Sequence, residues 1–118
     1  MLKGIGTVGK WTVVHLNKAV SAEFDELPND IKAKFIHLAA LIEDMGLPMV
    51  GEPYVKHVDG KLWEMRVRAE SGYGRGFYCA WQGKRIVVLR YFIKKSAKTP
   101  STELALAKKR LAELRVSD

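Results

Sequence analysis

The sequence predicts a small α+β domain in which a twisted antiparallel sheet carries helices on one of its faces, in the order β-α-α-β-β-β-α. Three observations predict this fold class. A chain of 118 residues is long enough for one hydrophobic core and short for two. Apolar residues recur with helical spacing from residue 20 to residue 45, and they alternate with polar ones, as in strands, from residue 62 to residue 69. A Thr-Pro pair at residues 99 and 100, as N-cap and first helical residue, then begins a last helical pattern.

The N-terminal part of the domain is predicted to be one strand and two helices. Trp11–Leu16 is apolar and rich in β-branched residues, which is typical of a strand. The first helix has an apolar face formed by Val20, Phe24 and Leu27. Pro28 ends that helix and lies in the first turn of the next one. The second helix carries a wide apolar stripe from Ile31 to Met45, and Gly46 ends it.

Three strands with short connections are predicted after the helices: Leu62–Ala69, Phe77–Gln82 and Ile86–Ile93. The glycine-rich segment 71–76 (SGYGRG) is expected to be a loop between the first two. Alternation along the first strand directs Trp63, Met65 and Val67 toward the core. The opposite, solvent-facing side then carries Leu62, Glu64, Arg66 and Arg68. An antiparallel meander of this kind has one core face and one open face, and the open face would carry the basic residues.

Residues 4–9 match the pattern G-x-G-x-x-G, which occurs in dinucleotide-binding loops. That loop needs a strand before it and a helix beginning inside it. Here only three residues precede the pattern and a strand follows it. We therefore interpret residues 1–10 as a flexible N-terminal segment and residues 11–118 as a single domain.

The composition limits the kinds of site and the environment. Cys79 is the single cysteine, so the chain has no internal disulfide, and it is expected to be a half-buried core thiol. The three histidines are far apart and have no metal-ligand spacing with Cys79. No apolar run approaches the length of about 20 residues that crosses a membrane. We expect a cytoplasmic protein without a metal, a cofactor or a membrane partner.

The positive charge is concentrated in one part of the sequence. Residues 52–98 contain 11 basic and four acidic residues, an excess of seven that equals the net charge of the whole chain. Such a localised basic region attracts polyanions, of which nucleic acid is the most common in a cytoplasm. A basic surface that only keeps the protein soluble accounts for the charge as well.

Basic and aromatic side chains are interleaved in this region. Arg66, Arg75, Lys94 and Lys95 fall on or beside the predicted strands, among several tyrosines and tryptophans. Basic side chains bind phosphates and exposed aromatic rings stack on bases, so the pattern is typical of RNA binding. About half of the aromatic residues are expected in the core instead.

Four segments of the chain together resemble a known family. They are residues 60–66 (GKLWEMR), Arg75 with Phe77-Tyr78, residues 87–96 (VVLRYFIKKS), and Thr99-Pro100 with Glu103, Ala107 and Arg110. These resemble the LWELR, YRxxY and FxKKxxxTP blocks of the phage-derived, HigB-like branch of the RelE/ParE toxin superfamily, in the same order. The resemblance covers residues 11–114. The chain departs from the pattern at Arg90-Tyr91, at Met65 and in the shifted aromatic residues of the second block.

The resemblance implies a RelE-like fold and a toxin of a type II toxin–antitoxin system. Many toxins of this superfamily cleave mRNA without a metal ion, usually in the ribosomal A site, and a co-transcribed antitoxin neutralises them. The expected partners are therefore mRNA, the ribosome and an antitoxin, a helix-turn-helix protein from the adjacent gene.

The resemblance also suggests site residues. Arg66, Arg75, Lys94 and Lys95 match the family blocks best and are the predicted catalytic residues. The arginines would hold the phosphate with their planar guanidinium groups, and one of the two lysines would transfer a proton. The residues predicted to bind nucleic acid are Lys56, Arg68, Arg90 and Tyr91, the last as a stacking ring or an acid.

A second hypothesis assigns the same basic sheet to binding without catalysis. ParE-type members of the superfamily share the fold and act on a protein, DNA gyrase, and the present sequence lacks an evident His/Glu catalytic pair. In that case the protein is a binding toxin or a basic nucleic-acid-binding module.

Overall fold

The computed structural model describes residues 11–117, with side chains up to residue 115. The predicted flexible segment 1–10, with its glycine pattern, lies outside the described residues. The elements are, in chain order, β1 (Thr12–His15), α1 (Lys18–Asp25), α2 (Asn29–Met45), a 3-10 turn (Leu47–Met49), β2 (Val55–Asp59), β3 (Leu62–Ala69), β4 (Gly72–Trp81), β5 (Arg85–Lys94) and α3 (Ser101–Ser117). The predicted α+β class is confirmed.

The five strands form one sheet in the order β1-β5-β4-β3-β2. β2 to β5 are antiparallel neighbours, whereas β1 lies parallel to β5 at the edge. The predicted sheet was wholly antiparallel and lacked β2. This parallel pair is possible because α1, α2 and three strands separate β1 from β5 in the chain. A connection of that length allows the chain to cross over and run in the same direction again.

Local sequence determines where the helices begin. The side chain of Asn17 accepts a hydrogen bond from the backbone N–H of Val20 (3.1 Å), which caps α1. The carbonyl oxygen of Pro28 accepts from the N–H of Lys32 at 2.9 Å and starts α2. At α3 the carbonyl of Pro100 accepts from Glu103 and Leu104, so the helix begins one residue later than predicted.

The helices lie on both faces of the sheet, where the sequence predicted them on one. α1 and α2 cover one face, over a core that includes Phe35, Met65 and Tyr78. α3 crosses the opposite face and buries Phe77 and Leu89 beneath Ala107 and Leu111. Because both faces of the sheet are covered, the side chains of β5 are mostly buried on both sides. Its sequence therefore lacks the alternation of polar and apolar residues that is typical of a strand with one exposed face. α3 covers only part of its face, and the uncovered part is where the charged residues lie.

Two other predictions differ from the structure. Residues 72–76 of segment 71–76 are not a loop but the first half of β4, and α2 lies so close to this strand that a side chain at Gly74 would overlap with it. A Cβ atom on Gly74 would lie 2.7 Å from Cγ2 of Ile31 and 2.9 Å from Cε2 of Phe35. Trp63 was expected in the core, but its side chain is 37% exposed at the far end of β3, against the ring of His57.

Candidate functional site

The basic residues predicted from the sequence meet on the part of the sheet that α3 leaves uncovered. In the register of β3 and β4, Arg66 lies directly opposite Arg75. Lys56 on β2 lies opposite Glu64, and Lys94 on β5 lies opposite Tyr73. One face of the sheet therefore carries five charged residues. Four are positive (Lys56, Arg66, Arg75 and Lys94) and one is negative (Glu64).

Glu64 is the centre of this group. Its side chain is buried, and its Oε1 atom lies 3.3 Å from Nε of Arg66 and 3.7 Å from Nε of Arg75. These are ion pairs without hydrogen-bond geometry, because neither Nε atom has a hydrogen-bond partner among the described residues. Two arginines directly opposite each other on neighbouring strands repel, and the carboxylate between their Nε atoms offsets that repulsion.

Tyr73 lies between the arginines on the same face. Its ring is 5.4 Å from the guanidinium carbon of Arg68 and 5.8 Å from that of Arg75, both as cation–π contacts. The side chain remains 45% exposed. It therefore combines an aromatic surface open to solvent with neighbouring positive charge.

Two clefts meet at Tyr73 and Arg75, which line both of them. The smaller cleft, of about 340 Å³, also contains Lys94 and Lys95 and ends at Ser96 and Ala97. The larger cleft, of about 600 Å³, passes around the edge of β3 to α2. It does so beyond Met65, the last residue of β3 that pairs with β2. Its other lining residues are Lys34, His37, Leu38, Leu41, Pro53, Tyr54, Arg66, Val67 and Arg68.

The environment of the smaller cleft lowers the pKa of two basic groups, Lys94 and Arg75, although the guanidinium group of Arg75 stays charged. Desolvation lowers the pKa of Lys94, and the charges of Arg75, Arg66 and Lys56 lower it further against the opposing effect of Glu64. Burial also lowers the pKa of Arg75. An amine with a lowered pKa beside fixed guanidinium groups can accept a proton next to a bound anion.

Arg90 and Tyr91 are the predicted site residues that the structure does not bring to this surface. Arg90 is held by two carboxylates: Nη1 lies 2.9 Å from Oε2 of Glu23 on α1, and Nε lies 2.6 Å from Oε1 of Glu103 on α3. Arg110 completes the network, since it also contacts Glu23 at 2.8 Å. Arg90 therefore connects α1 to α3 across β5, and these ion pairs occupy its guanidinium group.

Tyr91 cannot stack on a base, because its ring is 5% exposed and lies on the opposite face of the sheet, among Phe24 and Phe35. Its hydroxyl is 3.0 Å from Nε2 of His15, whose Nδ1 is in turn 2.9 Å from the hydroxyl of Ser21. Burial raises the pKa of Tyr91, which makes it a poor acid. Tyr91 is part of the core, and His15 is a partly buried residue against its hydroxyl.

Sequence reasoning did not assign Glu64, Tyr73, Tyr54, His37 or Lys34 to the site. Glu64 and Tyr73 share a strand face with the predicted arginines, so the alternation around Arg66 and Arg75 is the signal that could have found them. His37 and Lys34 are exposed polar residues on α2, three residues apart, and only the tertiary structure brings them beside β3.

Within residues 11–117, no three or more His, Cys, Asp or Glu side chains are placed to hold a metal ion. In the same part of the chain, no helix has the length and apolar character needed to cross a membrane.

Comparisons with known proteins give the family and the fold. Residues 22–112 match the family described as phage derived protein Gp49-like. The free E. coli toxin RelE, as a mutant with two arginines replaced by alanine, superposes with a TM-score of 0.61 at 15% identity, over 86% of this chain and 97% of that one. RelE in the archaeal RelE–RelB complex from Pyrococcus horikoshii OT3 gives a TM-score of 0.55 at 24% identity, over 75% of this chain and 99% of that one. No curated protein sequence matches the chain. The predicted resemblance is thus confirmed: the chain belongs to the phage-derived Gp49-like family and has the RelE-like fold.

Proposed function

We propose that the protein is the toxin of a type II toxin–antitoxin system and, like the HigB-like toxins it resembles, an endoribonuclease that cleaves mRNA at the ribosome. The observation that carries this proposal is the convergence of Arg66 and Arg75 on the buried carboxylate of Glu64, next to an open cleft that Arg75 and Lys94 line together. Membership of the Gp49-like family and the RelE-like fold support it.

The proposed reaction is an intramolecular phosphoryl transfer within RNA. The ribose 2′-oxygen forms a bond to the adjacent phosphorus, and the bond from phosphorus to the 5′-oxygen breaks, which leaves a 2′,3′-cyclic phosphate and a 5′-hydroxyl. This transfer requires in-line positioning and stabilisation of the negative charge on the phosphorane oxygens. Arg66 and Arg75 supply that charge from two neighbouring strands, and a guanidinium group can contact two oxygens at once.

The protons are transferred by the lysines of the smaller cleft. Lys94 accepts the proton of the 2′-hydroxyl in its neutral form, which its lowered pKa makes accessible. Lys95 follows it in the chain, lines the same cleft and protonates the departing 5′-oxygen. Lys56 and Arg68 are exposed at the border of the site and bind flanking phosphates.

An antitoxin is the second proposed partner, because a toxic site must be blocked in the cell that makes it. RelE of P. horikoshii, which this chain resembles in fold, is in a complex with RelB. An acidic or helical segment of the antitoxin that covers the basic surface would associate rapidly through opposite charge. With mRNA and ribosomes as targets, the protein acts in the cytoplasm.

The experiment that tests the function is induction of the gene with and without the adjacent reading frame. Primer extension on a reporter mRNA should reveal new 5′ ends inside the coding region, and ligation-based analysis should detect 2′,3′-cyclic phosphates upstream of them. A Lys94→Gln variant should leave the message intact. Arrested replication with intact mRNA would contradict the proposal and indicate a protein target.

A further inference from the structure

We infer that the larger cleft, between α2 and the edge of β3, is a binding site for one unpaired RNA base next to the cleaved phosphate. This inference rests on the proposed function, since it names what lies beside the phosphate in the same site. It gives a role to Tyr54, His37 and Lys34, which the proposed reaction does not use.

The position of the cleft is the first argument. Tyr73 and Arg75 line both clefts, so a phosphate held by Arg75 has the larger cleft directly beside it. At about 600 Å³ this cleft falls in the size range of small-ligand pockets, large enough for a nucleobase and its ribose. A single-stranded segment can therefore place its phosphate at the arginines and the attached base at α2.

The chemistry of the lining is the second argument. The floor is apolar and consists of Leu38 and Leu41 of α2 and Val67 of β3. A second phosphate would lose its hydration on such a floor without compensation, whereas the face of a base would not. Lys34 and His37 border the cleft from α2 with groups that can hydrogen-bond to the edge of a base.

Tyr54 is the residue best placed to stack on that base. Its side chain is 54% exposed, more than that of any other phenylalanine, tyrosine or tryptophan among the described residues. Its backbone is fixed, because its carbonyl oxygen accepts a hydrogen bond from the N–H of Arg66 (2.8 Å) and its own N–H donates to Gly51 (3.0 Å). Because the backbone of this residue is already ordered, little conformational entropy is lost when a base binds to its ring. Stacking on the ring does not depend strongly on which base is present.

The test uses a dinucleotide monophosphate that cannot be cleaved because fluorine replaces its 2′-hydroxyl groups. Binding to the isotope-labelled protein is followed by NMR titration, and the two analogues that lack one or the other base are titrated in parallel. We expect one of the abasic analogues to bind about tenfold more weakly than the complete dinucleotide, which is the loss typical of one stacked base. The backbone signals of Tyr54 and His37 should shift with the complete ligand and with the analogue that keeps the base in the cleft, and they should not shift with the analogue that lacks this base.

The variants separate this site from the catalytic one. Tyr54→Ala should weaken binding of the complete dinucleotide about tenfold and leave binding of the abasic analogue unchanged, whereas Tyr54→Phe should bind like wild type. Trp63→Ala is the matched control, since Trp63 is a similarly exposed ring beside His57 and outside the cleft.

Two results would overturn the inference. If the dinucleotide binds and Arg75→Ala abolishes its binding, while Tyr54→Ala and removal of either base have no effect, the base site is wrong and the proposed function stands. If neither the complete nor the abasic dinucleotide binds to the wild-type protein, both the base site and RNA as the ligand of this surface are wrong.

Discussion

Glu64 and Arg75 form an ion pair, with 3.7 Å between Oε1 and Nε, in which both side chains are buried. Glu64 contacts Arg66 through the same oxygen at 3.3 Å, so a single carboxylate atom serves two guanidinium groups on neighbouring strands. Both contacts involve Nε, so the carboxylate does not occupy the terminal nitrogens of the two arginines. Nη1 of Arg75 donates a hydrogen bond to the carbonyl oxygen of Gly74 (3.3 Å), so we expect a phosphate to contact Arg75 mainly through Nη2. The site is thus a charged cluster in which one buried carboxylate lies against two arginines.

The first prediction concerns the coupling between Glu64 and Arg75. Glu64→Gln leaves two neighbouring guanidinium groups without the carboxylate between them, and Arg75→Gln removes one of the two ion pairs of the buried Glu64 carboxylate. Each variant should therefore be less stable than wild type. The double variant should be more stable than the sum of the two effects predicts, with a coupling energy of about 1–3 kcal/mol. Urea unfolding of all four proteins measures it. Additivity within about 0.5 kcal/mol would mean that the pair does not interact in the folded protein.

The second prediction separates catalysis from stability at Arg66. The side chain of Arg66 is 26% exposed, and Arg75 still pairs with Glu64 when Arg66 is removed. Arg66→Ala should therefore lower the free energy of unfolding by only about 1 kcal/mol, but it should slow RNA cleavage by about 10²-fold or more. Arg66→Lys should restore part of the rate, because an ammonium group cannot make the two-oxygen contact.

Phe35→Ala is the stability control for that comparison. Phe35 is 3% exposed and lies in the core away from the site, so its truncation should cost about 3–5 kcal/mol. Melting temperatures and cleavage rates of the purified variants provide the measurement. An Arg66→Ala protein that cleaves RNA like wild type would remove Arg66 from the catalytic residues.

The helices could be predicted from the sequence because each buries one stripe of side chains. Ile31, Phe35, Leu38 and Ile42 of α2 are all buried, as their spacing indicates. The strand carrying Arg66 could be predicted for the same reason, and so could the gathering of basic residues on one strand face. These features follow from local periodicity.

The rest depends on contacts between distant parts of the chain. β2 (VKHVD) is a partly exposed edge strand with little apolar character, so its pattern is weak. The glycines of segment 71–76 suggest a loop until α2 is seen to lie against them. The burial of Tyr91 and the ion pairs of Arg90 also follow from α1 and α3, which meet β5 from opposite faces. No local pattern reports those contacts.

The third prediction tests the close packing of α2 on β4. Gly74→Ala should lower the free energy of unfolding by about 1–3 kcal/mol, because the new methyl group would overlap with side chains of Ile31, Phe35 and Val67. Gly76→Ala is the matched control on the same face of the same strand. Its Cβ would lie 3.4 Å from the nearest atoms, those of the Tyr91 ring, so the loss should be smaller. Equal effects in urea unfolding would contradict this account.

The fourth prediction concerns the stability of the connection between α1 and α3 in acid. Burial alone would raise the pKa of Glu23, but the hydrogen bond from Arg110 and the charges of Arg90 and Arg110 lower it below the ordinary value of 4.5. A carboxylate with a lowered pKa in the folded state stabilises the protein above its ordinary pKa, and this contribution is lost as the pH falls below it.

Glu23→Gln should therefore destabilise the protein at pH 7, by about 1–3 kcal/mol for the lost charged hydrogen bonds. The difference in unfolding free energy between wild type and the variant should decrease as the pH is lowered below about 4.5. Asp44→Asn, which changes an exposed carboxylate of α2, is the control. A difference that stays constant with pH would show that Glu23 contributes by packing and not by charge.

The last prediction assigns the proton acceptor through the pH dependence of cleavage. If neutral Lys94 accepts the proton of the 2′-hydroxyl, the single-turnover rate should rise tenfold per pH unit and then level off at the pKa of Lys94, below the pH at which an ordinary lysine titrates. Lys94→Gln should reduce the rate by about 10²-fold and abolish this inflection. Lys84→Gln, which changes an exposed lysine in the turn between β4 and β5, should leave the profile unchanged.

Because the charge of Arg66 lowers the pKa of Lys94, Arg66→Gln should move the inflection of the residual activity to higher pH. An inflection that persists in Lys94→Gln would assign the proton transfer to another group, and Lys95 in the same cleft is the next residue to test.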